Sequence, residues 1–496
     1  MEKKIQDPRF SFVQQDKKLV DSKMETKRIG FFADAMYRFS RNKGSIVAAA
    51  ILMFMILFSI ITPFCTGYTA TEADSYYTNC LPKAFSDAGG FWDGSEKRTV
   101  SEAEYYLFKR AGRVKEVYST YQTGDDFSGF TTKYDVRYDT YVIGAVNHTL
   151  TKEKLDEVLE YDAKTDEGHK ILLPLIDTSW IEEEKQNETI IENVIRNNAN
   201  YDYRFYGRNK LPILKDGELQ YAWKKNAAGE YVYYEATGLS NSVYNVRMNY
   251  DNYYYFLNGH YAKFGLGSDS AGRDILTRLS VGGRFSLLFA FGVSAINLII
   301  GLIYGAIEGF YGGTTDIIME RISEILAEVP FMVVIALLKN YNGVYFSISI
   351  VGMLFIAFVL TGWLGTASTV RMQFYRYKKQ EYVLASRTLG ASDARLIFKH
   401  ILPNSIGTIV TSSVLMIPGV IFSESSLSYL GIINFDAIGS TSIGTMLSQG
   451  QNSYTTYPNN ILWPALFISL LMICFNMFGN GLRDAFNPQL RGSDNV

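Results

Sequence analysis

Asp316, Glu320, Glu324 and Glu328 recur every four residues, a spacing that lines four carboxylates along one face of a helix. Like charges so placed repel, so that face must meet water, cations or basic partners. The chemistry on offer is the binding of positive charge, not the making of bonds. Glu424 interrupts the apolar stretch Ile421 to Leu430, where an ionisable group is expected to face a cavity or a partner. Glu324, Glu328 and Glu424 are therefore the candidates for lining a solute path. Two alternatives stay open for the helical carboxylates: solvation of the lower turns, and pairing with basic residues such as Arg321 on the same helix. Catalysis is not expected. The chain has no Gly-x-x-x-x-Gly-Lys-Ser/Thr phosphate loop, no Cys/His ligand cluster and no nucleophile beside a base, so no catalytic, cofactor or metal residue is named. Its three cysteines are too few for a disulfide framework; Cys65 and Cys80 either pair outside a membrane or, as the span-end position of Cys65 favours, stay thiols.

The elements that position these groups come from the distribution of apolar residues. The 496-residue chain is 47% hydrophobic with a formal charge of -2, an average that hides long apolar runs and a polar, tyrosine-rich stretch from about Gly67 to Phe264. Basic residues cluster where an inner membrane surface would attract them, so no nucleic-acid partner is implied. Residues 1–44 are basic and the run from Gly44 to Ala70 is uncharged, longer than the roughly 20 residues that cross a hydrocarbon core. With no small-residue cleavage site it reads as an uncleaved anchor, N-terminus inside. Phe32, Met36, Tyr37 and Phe39 fall near one side of a predicted helix over Phe31–Arg41, suited to the inner membrane surface. In the polar stretch, Ser101 to Glu104 and Ser179 to Glu182 are capping boxes, Lys152 to Lys164 has a helical pattern, and Tyr134 to Gly144 alternates as a strand. Lys215-Asp-Gly-Glu218 and Ala228-Gly229 are turns of a meander. A small α+β domain is expected, its tyrosines packing half-buried strand faces or, alternatively, forming a contact surface.

Between two apolar runs lies the charged stretch Tyr377 to Asn404. It predicts two short amphipathic helices hinged at Gly390-Ala391-Ser392, with Val383, Leu384, Leu389, Leu396, Ile397, Ile401 and Leu402 as apolar faces. Gly390 suits a C′ position, Ser392 can cap the next helix, and Pro403 is expected to end it. A solvated connector is the plain alternative. The order Tyr382, Ala385, Gly390, Ala391, Ser392, Asp393 and His400-Ile-Leu-Pro-Asn404 resembles the cytoplasmic coupling loop of ABC importer permeases, specifically the C-type subunit of the oligopeptide/dipeptide/nickel branch. Leu384-Ala385-Ser386 lacks the family's Glu, and His400 replaces its Ile. The resemblance runs from Gly265 to Pro488. It includes Gly267-Ser-Asp-Ser-Ala-Gly-Arg-Asp274, where Asp269, Arg273 and Asp274 could pair, together with Asp316, Arg321, Glu324, Pro330 and Glu424. Glu320 and Glu328 stand where the family is usually apolar, and Asn480 and Asn487 where Asp is commoner.

The resemblance implies a membrane all-α fold, the six transmembrane helices of a type I ABC importer permease, with a large extracytoplasmic α+β insert between spans 1 and 2. The expected divisions are a cytoplasmic segment 1–44, span 45–65, insert 66–264, permease core 265–488 and tail 489–496. Later spans are expected at 285–307, 315–338, 344–370, 405–430 and 460–480. Both termini lie in the cytoplasm of a bacterial cell whose plasma membrane the chain crosses. The coupling loop 377–404, with Glu381, Ala385, Gly390, Ala391, Ser392, Asp393, His400, Leu402 and Pro403, would dock on an ATPase, ringed by Lys378, Lys379, Asp393 and Arg395. Gly267, Asp269, Gly272, Arg273 and Asp274 form the motif before the second span. Implied partners are a second permease subunit in a heterodimer, two ATP-binding subunits, an extracytoplasmic substrate-binding lipoprotein or protein, and the lipid bilayer; no cofactor is implied. Arg273, Arg278 and Arg284 disagree with this topology, since they fall outside where basic residues are disfavoured. An ion-coupled secondary transporter or channel using the acidic face is the alternative. A membrane-anchored receptor explains the insert but leaves the coupling stretch without a role.

Overall fold

The computed structural model describes residues 31–124, 131–175, 214–215, 218–219, 223–237, 243–342 and 347–486. Among them five helices are long and apolar enough to cross a membrane: Lys43–Cys65, Ile275–Tyr311, Ile350–Tyr377, Asp393–Tyr429 and Asn459–Phe486. The first starts where the Asn42 side chain accepts from the Ser45 N–H, and the second where Asp274 accepts from Leu276 and Thr277.

The single helix expected over 315–338 is instead two, Gly313–Ala327 and Phe331–Tyr341. Pro330 sits at the N-cap of the second, and its missing N–H and bulky ring end the first run. The next span begins at Ile350 rather than 344 and passes through Trp363 into Leu364–Tyr377. Pro403 does not stop its helix as expected. The turn Leu396–Ile401 is a π-helix, in which the Leu402 N–H reaches back to the Ile397 carbonyl, and the widened turn admits the proline ring into the continuing helix Leu402–Tyr429.

Ile275–Tyr311 is the central strut. Gly301, Gly305 and Gly309 share one of its faces, and a Cβ on them would strike Thr366, the Ala367 carbonyl and Phe374 respectively. The backbones of this helix and of Ile350–Tyr377 therefore lie in near contact, the small-residue packing that membrane helices favour. Phe289, Val293, Leu354, Phe358, Ile421 and Phe475 fill the core around the upper strut. The amphipathic helix Phe31–Arg41 buries Ala35 and Phe39, with Phe39 edge-on to Phe478 at 5.5 Å, while Met36 and Tyr37 stay exposed. Its apolar side is thus divided between the last helix and the surroundings, not presented whole to a membrane.

The insert is mixed α and β. Strands β1 (Ser95–Ser101), β2 (Val114–Thr123) and β3 (Thr131–Asp139) form an antiparallel sheet ordered β1-β3-β2. A second sheet joins β4 (Ala145–Thr151), β5 (Leu172–Leu173), β8 (Tyr234–Thr237) and β9 (Val243–Asn249), with β9 pairing the other three. The short strands β6 (Leu214–Lys215) and β7 (Glu218–Leu219) pair with each other across Asp216 and Gly217, which lie outside the described residues. The capping box at Ser101 is reciprocal: the Ser101 N–H donates to Glu104 at 2.9 Å and the Glu104 N–H to Ser101 Oγ at 3.3 Å. Lys152–Lys164 is helical as its pattern predicts. Ser179 to Glu182 lies outside the described residues. Tyr77, Tyr141, Tyr250, Tyr253 and Tyr254 form much of the insert core, and Tyr138 that of the first sheet. No disulfide joins Cys65 to Cys80: Cys80 is buried, its thiol donates to the Thr140 carbonyl, and burial pushes its pKa up to about 12.

Candidate functional site: the 377–404 segment and an acidic cavity

The 377–404 segment is built from one helical turn outward. Glu381 opens the helix Glu381–Thr388, where a carboxylate suits the positive end of the helix dipole. Val383 on this helix is fully buried with Leu396 and Ile401, against Phe310 of the central strut and Val370 and Phe374 of Ile350–Tyr377. Ala385 is exposed on the opposite side. The helix stops at Gly390, whose φ of +83° lets its N–H donate to the Arg387 carbonyl at 3.0 Å and the Ala391 N–H to the Ser386 carbonyl at 3.1 Å. This bond pair is the Schellman motif, and it turns the chain without a loop. Ser392 has the extended backbone of an N-cap, but its hydroxyl makes no capping bond. Ala391 and Leu402 are half-buried against the inner cluster, while Asp393 and Pro403 face outward.

The apolar residues thus split into two sets. Val383, Leu396 and Ile401 anchor the segment, whereas Leu384, Leu389 (87% exposed) and Phe398 (65% exposed) point away from the chain. Three polar stitches hold this display in place. Asn404 Nδ2 donates to the His400 carbonyl at 2.7 Å and to Tyr382 Oη at 3.2 Å, joining the two helical arms. The Arg387 guanidinium lies over the Phe310 ring, 5.6 Å from its centre. Lys378 does not ring the exposed face as its sequence position suggests: its Nζ donates to the Gly309 carbonyl at 2.7 Å, satisfying an end of the central strut. Burial there lowers its pKa below the usual lysine range, with Asp316 opposing.

Near the Glu308 end of the central strut lies a cavity of about 200 Å³ lined in part by Glu308, Glu320, Ser323, Glu324 and Arg371. Arg371 forks across two carboxylates, with Nε and Nη2 to Asp316 at 2.7 and 3.0 Å and Nη1 and Nη2 to Glu320 at 2.7 and 2.8 Å. Tyr375 adds a hydrogen bond to Asp316 at 2.7 Å. The lower half of the acidic face is therefore engaged by a basic residue of the neighbouring helix. Glu324 borders the cavity and pairs with Arg321. Glu328 is exposed at the helix C-cap and lies outside the cavity. Glu424 is fully buried, accepting from Ser286 at 2.8 Å and Ser428 at 3.2 Å, and does not line the cavity either.

At the other end of the strut the Gly267 to Asp274 motif is a clamp. Gly267 (φ +86°) and Gly272 (φ +77°) press against the Cys80 and Asp74 carbonyls, leaving no room for a Cβ. Asp269 takes Arg273 Nε at 2.9 Å and also pairs with Arg278. Arg273 and Arg278 continue to Asp436 at 3.1 and 2.9 Å and to Gln449 at 2.9 and 2.7 Å. Asp274 does not join the pairing; its carboxylate accepts from Thr277 and caps the strut. Arg278 lies outside the Gly267 to Asp274 motif, and its only signal in the sequence is a basic residue where the expected topology disfavours one. Two of the three arginines at odds with the topology are thus neutralised within the protein.

Comparison with known proteins follows from this architecture. Residues 287–492 match the family described as binding-protein-dependent transport system inner membrane component, and residues 30–82 match the N-terminal TM domain of oligopeptide transport permease C. Much of the insert lies between these two matches. The oligopeptide transport system permease protein OppC of Bacillus subtilis (strain 168) is 44% identical over 227 residues, 45% of this chain and 72% of that protein. OppC of Haemophilus influenzae is 40% identical over 225 residues, covering 45% and 70%. The dipeptide transport system permease protein DppC of B. subtilis is 39% identical over 231 residues, covering 45% and 68%. With this identity over more than two thirds of each relative, the chain is a multi-pass membrane protein and belongs to the family of binding-protein-dependent transport system inner membrane components, in its permease C branch.

Proposed function

We propose that this chain is one membrane subunit of an ATP-driven importer of oligopeptides or dipeptides, and that the 377–404 segment is where ATP hydrolysis on separate subunits is coupled to transport. The observation that carries the reading is the divided segment: Leu384, Leu389 and Phe398 are exposed while Val383, Leu396 and Ile401 hold their backbone rigidly to the central strut and Ile350–Tyr377. An apolar face fixed in this way suits a groove on a partner, with the neighbouring charges as a polar rim. Closure of two ATPase subunits would draw this segment toward its counterpart on a second, non-identical permease subunit and rock the helices between inward- and outward-open states.

In this reading both termini and the 377–404 segment are cytoplasmic, and the insert meets the substrate-binding protein or the outer face of the partner permease. Gly313–Ala327 and Phe331–Tyr341 together make the remaining crossing: 15 and 11 residues rise about 39 Å at 1.5 Å each, enough for the bilayer core. The engagement of Asp316 and Glu320 by Arg371 speaks against an ion path along the whole acidic face.

Reconstituting the chain with its partner permease, ATPase subunits and binding protein in proteoliposomes tests the proposal. Peptide uptake should require ATP and the ATPase subunits. Uptake driven by a proton or sodium gradient in their absence would overturn it.

A further inference from the structure

Where the insert meets the start of the central strut there is a cavity of about 120 Å³, remote from the inner coupling segment. Its walls include the rings of Tyr68, Tyr250, Tyr254 and Phe264, and its rim carries Glu72, Asp74 and Asp274. Among the described residues, no lysine or arginine lines it. Tyr68 and Phe264 lie 5.1 Å apart with their rings tilted by 54°, which shapes a corner rather than a flat stack. Tyr254 and Phe264 are buried, so two walls are fixed by the insert core.

The fully buried carboxylates of the insert face cations: Asp93 meets Arg137 at 2.8 Å, and Asp139 meets Lys83 at 3.0 Å and Lys115 at 3.3 Å; the half-buried Asp251 is instead held by hydrogen bonds, from the Tyr77 hydroxyl and the Gly144 N–H at 3.0 Å each. Glu72, Asp74 and Asp274 have no ion-pair partner among the described residues. Asp74 accepts one bond from the Tyr76 N–H at 2.9 Å and one from the Tyr250 hydroxyl at 2.8 Å, which leaves lone pairs available on a carboxylate that can take about four. Burial raises the pKa values of Tyr68, Tyr250 and Tyr254, so the rings stay neutral. Aromatic faces and unpaired carboxylates both attract positive charge, and neither suits an anion.

We propose that this cavity binds a small organic ammonium group, primary or quaternary, held by cation–π contact with Tyr68 and Tyr254 and by the charge of Glu72 and Asp74. At about 120 Å³ the cavity has room for an alkylammonium head. A hard metal ion is a poorer fit, because calcium takes about six to eight oxygen ligands and Tyr68, Tyr254, Leu257 and Phe264 line much of the wall. The inference does not depend on the transport reading, and its test contains no transport step.

The experiment is calorimetric titration of the full chain in lipid nanodiscs, at constant ionic strength, with tetramethylammonium, n-butylammonium, sodium and calcium chlorides. Saturable binding of at least one of the two ammonium ions at millimolar concentration is expected, and the stronger of them identifies the class. Glu72→Gln, Asp74→Asn and Tyr68→Leu should each weaken it, by about tenfold, between the worth of an exposed and of a desolvated cation–π contact. Glu72 is exposed at the rim and its substitution leaves the fold intact, so that variant remains informative if Tyr68→Leu is unstable. Absence of saturable ammonium binding, unchanged affinity in Glu72→Gln and Asp74→Asn, or tighter binding of calcium than of either ammonium ion would each overturn the proposal.

Discussion

A substitution at Gly390 separates backbone geometry from packing more cleanly than any other in the coupling segment. An added Cβ there meets nothing within 4 Å among the described residues, so the effect expected is the cost of holding φ at +83°. For alanine that cost is about 1 kcal/mol, more for a β-branched residue, and least for asparagine, which tolerates the left-handed region. If the strain is relieved, the two bonds to Arg387 and Ser386 open and Leu389 no longer stands where the helix end holds it. A penalty of about 1 kcal/mol corresponds to about a fivefold loss of the competent geometry. Gly390→Ala should therefore raise the dissociation constant of the ATPase subunits about fivefold, Gly390→Val more, and Gly390→Asn hardly at all, with insertion in the membrane unchanged. The assay is titration of purified ATPase subunits onto the permease complex in nanodiscs, alongside ATP-driven uptake. Equal effects of alanine and asparagine, or a fully active Gly390→Val, would refute the argument from φ.

The carboxylates give a second test: if Glu324 and Glu328 lend negative potential to the path, Glu324→Gln/Glu328→Gln should lower uptake of cationic peptides several-fold more than of acidic ones, by roughly 1 kcal/mol of lost charge attraction. Equal loss for all peptides with failed recovery of the ATPase subunits would assign them to assembly instead. Glu160, exposed on the helix Lys152–Lys164, tests the side of the insert. With Cys65 replaced by serine, Glu160→Cys should react with an impermeant thiol reagent in whole cells, and reaction only after lysis would overturn the topology. Asp93 sets a pH dependence. Burial would raise its pKa, but bonds from Ser95 and the Gly90 N–H and the charge of Lys115 hold it well below the ordinary carboxylate range. Its stabilisation is thus present above the unfolded value of 3.8 and lost as pH falls through the lower folded value, so acid melting of the insert followed by circular dichroism should be shallower in Asp93→Asn.

Much of this architecture is written locally. Apolar runs matched to a bilayer, the capping box at Ser101 and the left-handed Gly390 each depend on residues within a few positions, which is why they are legible in the sequence. The clamp at the far end of the strut is not local: Arg278 meets Asp436 and Gln449 from 158 and 171 positions away. Its guanidinium reads in sequence only as a misplaced positive charge. The coupling segment shows the same limit on a smaller scale. Its apolar residues are all visible, but which of them face inward depends on Phe310, Val370 and Phe374, which come from two other helices. Pro403 misleads because a proline is disruptive in a regular α-helix, whereas here the preceding turn has i→i+5 bonding. Pro330 is the opposite case, a visible break concealed by the apolar residues that resume directly after it.

The close contact at Gly301, Gly305 and Gly309 has a mechanical consequence. Where side chains separate two helices, a push on one is absorbed partly by rotamer changes; where backbones touch, nothing soft lies between them. The central strut and Ile350–Tyr377 must then turn as a single beam, pinned near its inner end by Lys378 on the Gly309 carbonyl. A beam of 37 residues is about 55 Å long, so in the proposed rocking motion it would link the 377–404 segment to Asp274 and Arg278 at its far end. Glycine, elsewhere a source of slack, is here what makes the beam stiff.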